Sequence, residues 1–300
     1  MQDNVFNLFS RIQSGILPAM VTPLDAGGYQ VNLEALPTLV DFLIAAGVDG
    51  LFVGGTTGEG LLLDVAQRCA LHEASQSAVA GRVPLLVHVG TNNTRDTLAL
   101  VQHAAGLGVD GIVCITPTFY GMTDDALLAY FQEVAACAPS TPFLAYDIPH
   151  MATNGVSPAL LGRMIQTIPN FAGVKCSRLD AQIVRQLVDV AANDAMVLAG
   201  NERIALGTLA LGATGLISGL ATAIPEPFVA LAAAHAGGNL HDAQREQRRI
   251  NRLLDLVPAV ERIGALKLIL QQRGITAGSM VPPRTMPADS ELWSRLYSLL

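Results

Sequence analysis

Strand-like and helix-like runs alternate eight times along this chain of 300 residues, and no other feature limits the fold as strongly. Ile16 to Val21 is an apolar run ending in Thr22-Pro23. Asn32 then offers a cap for a helical pattern of Leu33, Leu36, Val40, Leu43 and Ile44, closed by Gly47. Gly50 to Val53 is the second strand run, and Asp64 opens its helix. Val83 to Val89 is the third, with Thr94 to Gly106 behind it. Gly111 to Ile115 precedes a helix from about Thr123 to Ala138. Phe143 to Ile148 is followed by Ser157-Pro158, a cap with a first-turn proline. Phe171 to Cys176, Met196 to Ala199 and Thr214 to Gly219 complete the set, each with a helical pattern after it.

Eight βα units predict an α/β fold, a (β/α)8 TIM barrel; an open doubly wound sheet rarely needs so many. The composition agrees. With 51% hydrophobic and 14% charged residues, many segments must be buried on more than one side, as parallel strands are. After the eighth unit only helical signals remain. The expected organisation is a barrel over residues 1–238 and a C-terminal three-helix extension over 239–300. The extension holds an Arg- and Gln-rich run, a run with Ile263, Leu266, Ile269 and Leu270, and a third from Ser290 to Leu300. Lys267, in the second run, reads as an ordinary, partly exposed helix lysine.

Several function classes fall away on charge and pattern. A net charge of −7 argues against nucleic acid and against an anionic membrane as partners. Arg245, Arg248, Arg249 and Arg252 are interleaved with Glu246 and Asp255, as on a solvated helix face. Cys69, Cys114, Cys137 and Cys176 form neither a disulfide framework nor a zinc ligand set, and suit a reducing cytoplasm. The N-terminus carries Asp3 and Asn4 and no long apolar stretch, so no secretory signal is expected, and Pro225, Glu226 and Pro227 interrupt the apolar stretch from Gly212 to Ala236.

Barrel chemistry gathers at the C-terminal ends of strands. Only two lysines stand against sixteen arginines, and Lys175 lies inside the apolar run Phe171-Ala172-Gly173-Val174-Lys175-Cys176. A desolvated lysine has its pKa pushed down, and the neutral amine is a nucleophile toward carbonyl carbon. Tyr146 ends the neighbouring fifth strand, so a phenol can stand beside that amine and move protons. Strand two ends in Gly54-Gly55-Thr56-Thr57-Gly58-Glu59, whose hydroxyls and glycine-flanked N–H groups suit an anion. Ile217-Ser218-Gly219 ends strand eight and is expected to wall the same pocket. Gly200, Asn201 and Glu202 end strand seven, where Glu202 also suits a first-turn helix acid. His150 is a further candidate for substrate contact, and Cys176 is expected to face away from Lys175 as packing.

Val21-Thr22-Pro23-Leu24, Gly55-Thr56-Thr57-Gly58-Glu59, Thr116-Pro117, Tyr146-Asp147-Ile148-Pro149 and Gly173-Val174-Lys175 occur in this order. Together they resemble the dihydrodipicolinate synthase/N-acetylneuraminate lyase family of class I aldolases over nearly the whole chain. The resemblance implies that Lys175 forms an iminium with the keto carbon of pyruvate or another 2-keto acid. It implies that Tyr146 assists proton transfer, and that Thr56 and Thr57 bind the α-carboxylate, with Thr56 also relaying protons to Tyr146. Gly55, Tyr120, Gly200, Ile217 and Ser218 would surround the substrate. The protonated imine is itself the electron sink, so no metal and no cofactor is expected. The partners implied are pyruvate, an aldehyde and further copies of the chain, as a dimer or tetramer.

Two departures bear on the substrate. Family members that make dihydrodipicolinate carry a second tyrosine where this chain has Phe119; Tyr120 would have to replace it, or the relay is cut. They also carry an arginine shortly after Tyr-x-x-Pro that holds a substrate carboxylate. His150, Met151 and Ala152 occupy that stretch here, and none of them can fix a carboxylate as arginine does. The expectation is therefore a pyruvate-dependent aldolase for a 2-keto-3-deoxy sugar acid or a related hydroxylated 2-keto acid. The alternatives are 4-hydroxy-tetrahydrodipicolinate synthase, a keto-acid dehydratase, and a non-catalytic barrel that binds a keto acid.

Overall fold

Every residue of every strand is buried, which is the arrangement the apolar composition requires. The computed structural model describes residues 3–12, 14–257, 259–287 and 291–297. Among them run eight strands: β1 (Gly15–Pro18), β2 (Leu51–Val53), β3 (Leu85–His88), β4 (Gly111–Ile115), β5 (Phe143–Asp147), β6 (Phe171–Cys176), β7 (Met196–Ala199) and β8 (Gly215–Ser218). All pair in parallel, in the order β1-β8-β7-β6-β5-β4-β3-β2. The ring closes where Ala19 bridges Phe52 and the Met20 N–H donates to the Phe52 carbonyl at 2.9 Å. The fold is a (β/α)8 barrel.

Local chemistry explains most helix starts. Asp64 accepts from the Gln67 N–H while the Gln67 side chain accepts from the Asp64 N–H, a reciprocal cap. Ser157 caps the helix Pro158–Thr167 through the Leu160 N–H. Asn32 departs from expectation: its side chain makes no cap. A short 3-10 turn, Leu33–Ala35, intervenes, and the helix begins at Leu36 with Pro37 in its first turn. Proline presets the helical φ and its missing N–H costs nothing in a first turn, so Leu36-Pro37 suits a helix start.

The helix Asp3–Ile12 was not anticipated. Its Val5, Leu8 and Ile12 pack with Leu17, Leu86 and Met196 in the barrel interior. Apolar residues three and four apart carried that signal, but in too short a run to stand out. After the eighth unit come the helices Leu240–Leu256, Arg262–Gln272 and Leu292–Tyr297; Ser290 and residues 298–300 of the expected third run lie outside the described residues. Among the described residues no helix is long and apolar enough to cross a membrane.

Lys267 overturns its sequence reading. It is fully buried, and its Nζ donates to Glu59 Oε2 at 2.9 Å. The Ser279 carbonyl accepts a second bond from it, and the Val281 N–H donates to Glu59 Oε1 at 3.1 Å. Burial pushes the Lys267 ammonium below its ordinary value, and Glu59 opposes that. Helical spacing could not reveal this, because the partner lies at the other end of the chain. Removing one partner of a buried pair strands the other charge. Lys267→Met is accordingly expected to lose about 3–5 kcal/mol of unfolding free energy in denaturant melts, and Glu59→Gln added to it to recover most of the loss.

Candidate functional site

One extra residue in β6 aims Lys175 into the barrel. Phe143 pairs with Phe171, but the next residue, Leu144, pairs with Gly173, so Ala172 is the inserted residue of a bulge. Downstream of it Tyr146 lies beside Lys175. Under uninterrupted alternation Lys175 would pair with Asp147 and face the helices. Gly173 makes the bulge possible: its φ is +151°, and a Cβ there would lie 2.2 Å from the Met196 carbonyl oxygen. Val174 and Cys176 face the helix layer instead. Burial pushes the Cys176 thiol up to about 12, so it is inert at neutral pH.

The Lys175 amine sits between aromatic faces, 3.8 Å from the centroid of the Tyr146 ring and 4.3 Å from that of Phe52. The residue is 4% exposed. Burial lowers its pKa, while Tyr146 and then Glu202 oppose the shift. His88, unremarked in the sequence, sets its ring edge-to-face against Phe52 and Tyr146, with centroids 6.3 and 6.0 Å away. Burial first, then the Arg68 and Lys175 charges, hold His88 well below the usual histidine value, so it stays neutral. The buried Arg68 donates to the Gly90 carbonyl at 2.8 Å and braces the His88 backbone and ring. A histidine within the Val83–Val89 run was the available signal.

The Tyr146 hydroxyl and Thr56 Oγ1 are 3.0 Å apart. The loop that carries Thr56 and Thr57 is fixed at several points. Thr22 Oγ1 donates to the Gly58 carbonyl at 2.6 Å, and Glu59 is held by Lys267 and the Val281 N–H. The loop folds back so tightly that a Cβ on Gly60 would overlap the Gly54 carbonyl oxygen at 1.8 Å. Gly55, expected at the substrate, instead lies against the Phe52 ring and accepts from the Gly60 N–H; it does not line the cavity.

Thr56, Thr57, Tyr146, Lys175, Gly200 and Ile217 line one cavity of about 490 Å³. His150, Asn201 and Glu202 also reach it. Ser218 does not. It follows Ile217 on β8 and so turns to the opposite face, where its hydroxyl donates to Glu202 Oε1 at 2.6 Å. The Leu220 N–H donates to the same oxygen at 2.7 Å. Glu202 is thus a fixed carboxylate at the cavity and more than a first-turn helix acid. Tyr120 is also displaced from its expected place. Phe119 adopts φ +77°, and Asn154 Nδ2 donates to the carbonyls of both Pro117 and Tyr120 at 2.7 Å. This loop turns both rings outward, 78% and 72% exposed, and off the cavity.

No arginine stands at residues 150–152, yet the cavity has cations: Arg203, Arg262 and Arg284 line it. Two of them belong to the C-terminal segment, where helical spacing gave no hint of a site. Arg178, nearest to Lys175 in sequence, is committed to Asp147 at 2.6 and 3.1 Å. Among the described residues no three His, Cys, Asp or Glu side chains gather as metal ligands would. What the arrangement can do is add a buried, deprotonable amine to a carbonyl, with a phenol and a hydroxyl chained beside it to carry a proton.

A profile described as the Dihydrodipicolinate synthetase family matches residues 12–299. The 4-hydroxy-tetrahydrodipicolinate synthase of Bacillus subtilis (strain 168) is 28% identical over 91% of this chain and 93% of its own length. The N-acetylneuraminate lyase of Rhizobium meliloti (strain 1021) is 31% identical over 93% of this chain and 91% of its own. A solved structure of an E. coli K12 prophage protein of the dihydrodipicolinic acid synthase family, in complex with pyruvate, superposes with a TM-score of 0.88 at 29% identity, covering 95% of this chain and 97% of that one.

Two outcomes test the placement of Lys175. Because burial lowers its folded pKa below 10.5, the unfolded chain binds more protons between the folded value and 10.5, and stability rises with pH across that window. The burial penalty is complete below the folded value. Lys175→Met is therefore expected to exceed the parent in stability at neutral pH, by a margin that narrows as pH climbs toward 10.5. Urea melts across pH measure this, and a pH-independent margin would contradict it. Gly173→Ala is expected to cost roughly 2–4 kcal/mol in the same melts, through strain and overlap at the bulge.

Proposed function

The chain belongs to the dihydrodipicolinate synthetase family of pyruvate-dependent Schiff-base aldolases, and on that premise we propose that its substrate is a 2-keto-3-deoxy sugar acid or a related hydroxylated 2-keto acid. The observation that carries the reading is the Lys175 amine, desolvated against Tyr146, whose hydroxyl reaches Thr56 in a cavity far larger than a three-carbon acid needs.

In the cleavage direction the neutral Lys175 amine adds to the C2 carbonyl, and the Tyr146 hydroxyl gives up its proton as water leaves the carbinolamine. The resulting protonated imine draws the electron pair of the C3–C4 bond as it breaks. The proton of the C4 hydroxyl passes to the Tyr146 oxygen, with Thr56 as its hydrogen-bonded neighbour, and an aldehyde departs. The enamine left on Lys175 takes a proton at C3, and water hydrolyses the imine to free pyruvate and the amine. Thr56 and Thr57 hold the α-carboxylate, and Gly200 and Ile217 shape the wall.

An amino-aldehyde substrate fits less well, because its ammonium would enter a cavity whose lining carries three arginines and one carboxylate already accepting from Ser218 and Leu220. The same reading takes in a catalytic barrel over 1–238, a helical extension over 239–300, assembly as a dimer or tetramer, and the cytoplasm as location.

Borohydride added with pyruvate is expected to leave a covalent adduct on the peptide that carries Lys175, read by mass spectrometry; an unmodified peptide would end the aldolase reading. Tyr146→Phe is expected to lower kcat on the true substrate by about 10²–10⁴. Rescue of a diaminopimelate auxotroph would overturn the sugar-acid assignment in favour of the synthase.

A further inference from the structure

The cavity is charged against the grain of the protein. The chain carries a net charge of −7, yet Arg203, Arg262 and Arg284 line the cavity against the single carboxylate of Glu202. These arginines are not equally free. Arg203 is half exposed and paired with Asp255 at 2.8 Å. Arg262, first residue of the helix Arg262–Gln272, meets Glu202 Oε2 through one nitrogen at 3.4 Å, a long contact. Its Nε is buried with no partner. Arg284 has a backbone bond to Val281, but among the described residues its guanidinium has neither an ion pair nor a hydrogen bond.

Arg262 and Arg284 share the cavity with one carboxylate, which leaves one positive charge in excess and, on Arg262, a buried Nε–H with no acceptor. Buried donors without acceptors are costly, and a planar carboxylate satisfies a guanidinium fork with two bonds at once. We propose that Arg262, supported by Arg284, binds a second carboxylate of the substrate, distinct from the α-carboxylate held by Thr56 and Thr57. This makes the preferred substrate a keto-deoxy sugar diacid. The inference rests on the aldolase reading above and narrows it. An excess of one charge matches a monoanionic carboxylate better than a dianionic phosphate. Glu202 then has a positioning part: fixed by Ser218 and Leu220, it holds Arg262 at the cavity without neutralising the pair.

The test compares kcat/KM on three matched six-carbon 2-keto-3-deoxy acids, ending in a carboxylate, a hydroxymethyl group or a phosphate ester. The parent, Arg262→Gln, Arg284→Gln and Arg262→Lys are each measured. The parent is expected to favour the diacid over the hydroxymethyl acid by at least about tenfold. Arg262→Gln is expected to lower the diacid-to-hydroxymethyl ratio by about tenfold to a hundredfold, Arg284→Gln by less, and Arg262→Lys to restore part of it. Equal rates on the two acids in the parent, preference for the phosphate ester, or a variant that slows both acids alike overturns the proposal. If pyruvate and borohydride leave Lys175 unmodified, the aldolase reading fails separately. Calorimetric binding of a hexaric against a hexonic acid to the same proteins then decides the subsite, and equal affinities in the parent sink it.

Discussion

An amine taken out of water is the constraint on which the site depends. Lys175 is 4% exposed and lies against two aromatic faces, so its charged form is less favoured than that of an exposed lysine. The neighbours answer to that fact. Phe52 and Tyr146 exclude solvent, neutral His88 packs against both without adding a charge beside the amine, and the Tyr146 hydroxyl turns to Thr56. A barrel built for packing alone would put an aliphatic side chain at the end of β6.

Direction matters as much as burial. The inserted Ala172 changes the parity of β6, so that Lys175 shares the interior with Tyr146 while Asp147 and Cys176 face the helices. Asp147 is then free to anchor Arg178 and the Val156 N–H on that side. One residue of register thus separates two environments that would treat the same lysine in opposite ways, as a nucleophile inside or as an ion beside a carboxylate outside.

The sequence exposed what depends on local pattern. Eight alternating units, the strand lysine, its tyrosine neighbour and the Thr-Thr loop all follow from periodicity and composition, and the structure brings Lys175, Tyr146, Thr56 and Thr57 to one cavity. Misplaced residues were those whose positions depend on contacts distant in sequence or on a single turn. Ser218 was one residue out of phase, Tyr120 was carried outward with Phe119 by a positive φ, and Gly55 served the Phe52 ring. Lys267 and the cavity arginines of the C-terminal segment were invisible because helical spacing reports which face is apolar, not which distant strand end it will meet. The family likeness pointed to the class of reaction; the charge around the cavity came only from three-dimensional neighbours.

The bond between Glu59 and Lys267 has a consequence in time. A chain made from its N-terminus exposes all eight strands before the lysine at position 267 has been added. Until then the turn that presents Thr56 and Thr57 ends in a carboxylate with no cation to meet it, and its low-dielectric seat is unattractive. The turn that presents Thr56 and Thr57 therefore gains this brace only after residue 267 has been added. A barrel whose translation stops short of residue 267 has Lys175 in place but lacks the brace for the loop beside it.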